Sequence, residues 1–223
     1  MFAADAPSSR RAEMLAAVEA VRSELAGAHA AREVALPACR AAIRSSGSSI
    51  RAVHRGEPER AAALAADAAS ALREAQDALA PFPAVAHAGF LHDAEREVAE
   101  AHLTAALVAG EPLPGPDALG IDGPPWLKAL AEAASELRRY TLDRLREGEM
   151  DRAEALLQSM DDAYDVLVTV DYPDALTEGL RRTVDALRAV VERTRGDVTT
   201  TVVQVRLQQA LEGHGHPVEP LQP

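Results

Sequence analysis

The sequence predicts an all-α protein, an antiparallel bundle of six to seven helices without a convincing strand. Hydrophobic residues make up 48 % of the chain but aromatics only 3 %. The core must therefore be built from Ala, Leu and Val, and Ala has the highest helix propensity of all residues. Apolar residues also recur at helical spacing, as in Leu156, Met160, Ala163 and Leu167. Proline and glycine gather at a few points that separate such stretches, as at Pro81-Phe-Pro83 and from Gly110 to Pro125.

The first helix is expected from about Ser9 to His54, with Gly56 suited to a left-handed C-terminal position. Pro37 lies inside it and should kink or split it, since proline lacks the N–H and clashes with the preceding turn. Pro58 opens a second helix from its first turn, running to about Leu79. A third is expected over 84–109. After the Pro- and Gly-rich loop, a fourth starts at Pro124-Pro125, runs to Arg146 and is broken by Gly148. Asp151 and Glu154 have capping-box spacing and mark the start of a fifth; Tyr172-Pro173-Asp174 stops it. A sixth covers about Thr177 to Leu211. Its Val198–Val205 stretch is rich in Thr and Val, but a solitary strand would have no partner, so helix is preferred. One helical domain over residues 1–212 is expected, with a loose tail over 213–223.

The composition excludes several classes of function. No stretch approaches the roughly 20 apolar residues of a membrane span, so no membrane partner is expected. The N-terminus lacks the apolar core of a secretory signal. Cys39 is the only cysteine, which rules out an intrachain disulfide and fits a reducing cytoplasm. The net charge of −12 argues against a constitutively basic nucleic-acid-binding surface. Lys128 is the only lysine. A genome rich in G and C would explain that bias, and so would a halophilic-type composition; the excess of acids favours the second.

Two acid pairs carry what chemistry the chain offers. Glu97 and Glu100 lie in His92-Asp-Ala-Glu-Arg-Glu-Val-Ala-Glu-Ala-His102, and Glu132 and Glu136 lie in Trp126-Leu-Lys-Ala-Leu-Ala-Glu-Ala-Ala-Ser-Glu-Leu-Arg-Arg-Tyr140. Residues three or four apart share a helix face, with Cβ atoms about 5–6 Å apart. Two such helices packed together would converge four carboxylates, which repel unless they bind cations, and hard ions such as Mg²⁺ prefer oxygen ligands. The competing account is a solvated helix face, with Glu136 paired to Arg139 and Glu100 turned to solvent. Periodicity alone does not choose between the two.

The stretch Trp126-Leu-Lys-Ala-Leu-Ala-Glu-Ala-Ala-Ser-Glu-Leu-Arg resembles the translin/trax family's Tyr-Leu-x-Gly-x-Ala-Asp-x-x-Gly-Glu-Leu-x-Arg, and Glu95-Arg-Glu-Val-Ala-Glu-Ala resembles its Gln-Glu-Phe-Val-Glu-Ala. The first helix, ending Ile50-Arg-Ala-Val-His-Arg-Gly-Glu57, is similar to the family's long N-terminal helix with its His-x-Gly. Tyr164-Asp-Val-Leu, Asp171-Tyr-Pro-Asp-Ala-Leu-Thr-Glu-Gly-Leu-Arg-Arg and Val191-Glu-Arg-Thr-Arg-Gly-Asp-Val follow in the family's order. The resemblance spans about Ala28 to Leu211.

It implies a translin-like bundle assembling into a hollow homo-oligomer, typically an octamer. Family members of the trax kind are Mg²⁺-dependent endoribonucleases acting on single-stranded RNA, and their catalytic, metal-holding acids fall on Glu97, Glu100, Glu132 and Glu136. Glu132 stands where trax has Asp. Mn²⁺ is an alternative cation. Water would attack the phosphate in line, with one carboxylate, for instance Glu100, as general base. Translin proper lacks most of these acids and binds nucleic acid without cutting it, so the second reading is a non-catalytic single-stranded nucleic-acid-binding oligomer; a third is a purely structural helical assembly whose acids serve salt tolerance.

Translin carries a basic, histidine-rich segment before the first acid pair. Here it reads Ala86-His-Ala-Gly-Phe-Leu-His-Asp-Ala-Glu95, with few positive charges. Arg40, Arg44, Arg51 and Arg55 share one sector of the first helix and offer a substitute contact for RNA; pairing with Glu59 or Glu97 between subunits is the equal alternative. Arg181, Arg188 and Arg195 read as a solvated or interface stripe. Carboxylate-bridged di-iron bundles use Glu-x-x-His on two helices, a pairing absent here. Cys39 reads as a packing residue, and His214 and His216 as adventitious metal binders.

Overall fold

The computed structural model describes residues 6–86 and 89–214. Six long helices carry the fold: α1 (Ala6–His54), α2 (Pro58–Leu79), α4 (Phe90–Ala109), α6 (Gly123–Arg146), α7 (Met150–Leu167) and α9 (Leu180–His214). Three single turns join them: α3 (Pro83–Ala86), α5 (Pro116–Leu119) and α8 (Asp174–Thr177). Among the described residues there is no strand, and Val198–Val205 is helical. Among the described residues no helix is long and apolar enough to cross a membrane.

α1 and α2 form a hairpin through the tight turn after His54, where Gly56 takes φ 68° and its N–H bonds the Val53 carbonyl. The seam is made of small residues. On α2 the buried set is Ala61, Ala65, Ala68, Leu72, Ala75 and Leu79, a strict alternation of four and three that keeps one stripe facing its neighbours. On α1, Ala35, Ala42 and Ala52 are fully buried. α4 packs on α1, α2 and α6, and α6 packs in turn on α7 and α9. Leu103, Leu137, Leu156, Met160 and Leu187 fill the centre, each worth roughly 1.5–3 kcal/mol of burial.

Four details differ from expectation. Pro37 does not split α1, which runs through it. Ala35, Ala38, Cys39 and Ala42 around it are buried, and that packing offsets the about 3 kcal/mol a mid-helix proline costs. The expected third helix is broken at Gly89 (φ 94°) into α3 and α4. Asp151 does not cap α7; Glu149 holds the N-cap position without a side-chain bond, and Asp151 lies in the first turn, where its charge favours the helix dipole. The expected last helix is interrupted at Glu178, whose φ of 52° is the one positive value at a non-glycine position among the described residues. At the far end α9 takes in Gly213 and His214; the rest of the expected tail, with His216, lies outside the described residues, as does His87.

Two helix ends project from the bundle. Met14, Val18, Val21 and Leu25 on α1 are all more than half exposed, as are Val203, Leu207 and Leu211 on α9.

Candidate metal and nucleic-acid site

The packing of α4 on α6 brings the two acid pairs to one place. Ala94 and Ala101 of α4 and Ala129 and Ala133 of α6 are fully buried, and small contact residues let helix axes approach to the short end of the usual 8–10 Å range. Arg96 bridges the pairs: its Nη2 donates to Glu97 Oε1 at 2.9 Å and its Nη1 to Glu132 Oε2. The guanidinium is charged under all ordinary conditions, so it ties one acid of each helix together.

Glu100 sits behind this bridge, half-buried rather than turned to solvent. Burial, followed by the charges of Glu132, Glu97 and Glu136, pushes its carboxyl up to about 8, against a smaller opposing pull from Arg96. The other three carboxylates thus all act on Glu100. Glu136 does not pair with Arg139 by hydrogen bond. Instead its Oε2 lies 2.6 Å from His54 Nε2, and that bond holds the Glu136 carboxyl below the usual range despite its desolvation. An ionised carboxylate only accepts, so Nε2–H donates. The His54 side chain is 3 % exposed, and its Nδ1 is buried without a partner.

The donor set is all oxygen: Glu97, Glu100, Glu132 and Glu136. It carries more negative charge than Arg96 can balance, the condition that suits a hard divalent cation. A cation would also displace the proton that Glu100 retains at neutral pH. Mg²⁺ therefore fits these residues.

His54 and Arg96 are members of this site that the acid spacing does not reveal. Arg96 lies inside the quoted acid motif, and its charge between two glutamates is the available signal. His54 is visible only as the histidine of the His-x-Gly ending α1.

Arg40, Arg44, Arg51 and Arg55 are all exposed on α1. Arg55 donates to Glu57 at 2.9 Å and Arg51 to the Ser48 hydroxyl at 2.9 Å. Within the subunit none pairs with Glu59 or Glu97 among the described residues. A second basic surface was not foreseen. An open groove of about 600 Å³ runs along α6 from Glu136 past Arg138, Arg139 and Arg146. Arg138 is held by Asp197 at 2.8 Å and Arg146 by Asp143 at 2.7 Å, while Arg139 is exposed. Of the other residues singled out, Cys39 is a free, buried thiol, pushed up to about 11 by burial and by Glu95; it packs and does not react. Arg181 pairs with Asp171 and Arg195 with Glu192 and Asp161.

No family model matches the chain. An uncharacterized protein of Methanocaldococcus jannaschii is 30 % identical over 87 residues, 39 % of this chain and 39 % of that protein, so the match spans about two fifths of the relative's length. Solved structures match far more of the chain. AfC3PO in complex with duplex RNA is 32 % identical with a TM-score of 0.77, covering 84 % of this chain and 97 % of its own. A second structure, of AfC3PO, is 31 % identical with a TM-score of 0.76 over the same shares. Apo-NeC3PO, at 17 % identity and a TM-score of 0.72 over 82 % of this chain, shares the fold. With nearly all of AfC3PO matched at that identity, and the acid motifs standing on adjoining helices, the chain belongs to the translin/trax family and is of its C3PO-like kind.

Proposed function

We propose that this protein is a Mg²⁺-dependent endoribonuclease acting on single-stranded RNA within a translin-like homo-oligomer. The observation that carries the reading is the convergence of Glu97, Glu100, Glu132 and Glu136 across α4 and α6, with Glu100 pushed up to about 8 by burial and the other three acids. Glu97, Glu132 and Glu136 would hold the ion, together with Glu100 once it has ionised. Bound there, Mg²⁺ supplies positive charge that offsets the charge gathering on the attacked phosphate and makes water a better nucleophile. Glu100, ionised once the cation displaces its proton, is the carboxylate suited to accept a proton from that water. His54 is a positioning residue: it fixes the Glu136 carboxylate and keeps it ionised.

RNA contact is supported by the groove leading from Glu136 past three arginines, by the exposed Arg40, Arg44, Arg51 and Arg55, and by the relative solved with duplex RNA. Assembly is supported by the exposed stripe Met14, Val18, Val21 and Leu25, whose four–three spacing suits a helical partner. An octamer is the form the family resemblance implies, and the lone cysteine suits a reducing cytoplasm. Light scattering should give a mass several times 23.6 kDa; a monomer at all concentrations would remove the assembly.

One observation favours a non-catalytic binder instead. Arg96 already bridges Glu97 and Glu132, and an internal guanidinium neutralises part of the cluster without any metal. The deciding assay is incubation of the purified protein with labelled single-stranded and duplex RNA, in Mg²⁺ and in chelator. Cleavage that stops with chelator supports the nuclease. A gel shift without cleavage in either condition supports the binder.

A further inference from the structure

A second cluster lies one turn before the acid quartet, on the opposite side of Arg96 in sequence. His92 and Glu95 on the first turns of α4 and Asp122 at the entry to α6 each offer a ligand atom, all within 4.8 Å of one another. Glu95 is 3 % exposed. Its Oε1 accepts from Gln76 Nε2 at 2.9 Å, but its Oε2 is buried with no hydrogen-bond partner. A carboxylate oxygen sealed from water and left bare is destabilising. Something on that oxygen is missing from the protein's own hydrogen bonds.

From these residues we infer that His92, Glu95 and Asp122 form a binding site for a transition-metal dication of the Zn²⁺ type, separate from the quartet. The distances suit such an ion. Tetrahedral zinc with bonds of about 2.0–2.1 Å places its ligand atoms about 3.3 Å apart, and His92 Nε2 lies 3.4 Å from Asp122 Oδ2. All three ligand atoms lie within 4.8 Å of one another, and the Asp122 side chain, 63 % exposed, has room to adjust to an ion. The imidazole selects zinc-like ions over Mg²⁺.

Two of the three ligands, His92 and Glu95, also have the outer partner that metal sites require. His92 Nδ1 is held by Glu178 Oε1, which leaves Nε2 to face the ion in the carboxylate–histidine–metal manner. Glu178 is steadied by Lys128, whose Nζ lies 3.8 Å from Oε2. Gln76, which holds Glu95, also donates to the Gly120 carbonyl at 2.9 Å. With a neutral imidazole the three carboxylates outnumber Lys128 by two charges, the deficit that one dication fills. The ion would brace α2, the start of α4, the entry to α6 and the α8–α9 turn against one another.

The test uses the full chain carrying His214→Ala and His216→Ala, so that the tail contributes no ligand. After chelator treatment it is titrated with Zn²⁺, and with Co²⁺ as a spectroscopic probe. One ion per chain is expected, with tetrahedral Co²⁺ absorption and a higher melting temperature. His92→Gln and Asp122→Asn should each weaken that binding at least tenfold, while Glu132→Gln leaves it intact. Unchanged affinity in His92→Gln, or loss only in Glu132→Gln, overturns the site. Should the variants lose helical circular dichroism, X-ray absorption of the Co²⁺-loaded chain decides: one imidazole among oxygen ligands supports the site, and an all-oxygen shell refutes it. Neither result depends on whether the protein cuts RNA.

Discussion

The quartet and the His92 cluster share helix α4 and begin within a few residues of each other, yet they solve the problem of crowded carboxylates differently. In the quartet an arginine is placed between the acids, and the remaining strain is absorbed by Glu100, which holds its proton up to about pH 8. In the His92 cluster a histidine and a lysine lie among three carboxylates, and the unresolved element is a bare oxygen on Glu95. Burial, opposed by the Gln76 bond and added to by Asp122, raises the Glu95 carboxyl too. What separates the sites is donor chemistry: oxygen alone in one, imidazole with oxygen in the other. The charge deficit would favour a cation at either, and donor type would select which.

The largest effect that tests this contrast is on cleavage. Glu132→Gln removes one charge from the quartet without changing size, and single-turnover cleavage of a short RNA should fall on the order of 10²-fold. Equal cleavage by the variant would mean that the quartet does not hold the metal used for the reaction.

Next comes the pH dependence of Mg²⁺ affinity. Below about 8, Glu100 must lose its proton for the full set of ligands to form, so apparent affinity should rise about tenfold per pH unit from 6 to 8 and then level off. Calorimetry in buffers of different ionisation enthalpy should show proton release on binding. A flat profile would separate Glu100 from the ion.

A smaller effect concerns stability without metal. The folded-state value of Glu100 is raised, so its contribution is fully present below the ordinary carboxyl range and is lost as pH rises through about 8. The metal-free melting temperature should therefore decline between pH 5 and 9. Glu100→Gln should flatten the decline, with each kcal/mol recovered worth about 2–4 °C. Glu136, held low by His54, works in the opposite sense: its contribution is present above the ordinary range and lost as pH falls below it.

The smallest effect is expected at the α1 arginines. Arg51→Ala should weaken RNA binding a few-fold and lower the slope of log affinity against log salt by about 0.7 for a single strand. Mg²⁺ affinity should not move. An unchanged salt slope would leave RNA contact to the α6 groove.

Much of this arrangement is legible in the sequence because it is local. The six long helices follow from apolar spacing and from proline and glycine at their ends, and the acid pairs follow from spacings of three and four. What is not legible depends on contacts between distant residues. Nothing near Pro37 signals that buried alanines on both sides carry the helix through it. The Asp151–Glu154 spacing fits a cap, but the N-cap falls two residues earlier, at Glu149. Most of all, the pairing of His54 with Glu136, 82 residues away, and of His92 with Glu178, 86 residues away, exists only once the helices have packed.

The alanine seams have a consequence for how this protein tolerates change. In most cores the harmful change is truncation, which leaves a hole. Here Ala42, Ala68, Ala99 and Ala134 are fully buried, and there is little left to truncate. Growth is the hazard: one added branch at such a position overpacks the seam at about 1–3 kcal/mol. Alanine and valine codons differ by a single base, so this damaging change is one mutation away. A saturation scan should find the α1–α2 seam more intolerant of Val than of Gly or Ser, the reverse of the pattern in a leucine-filled bundle.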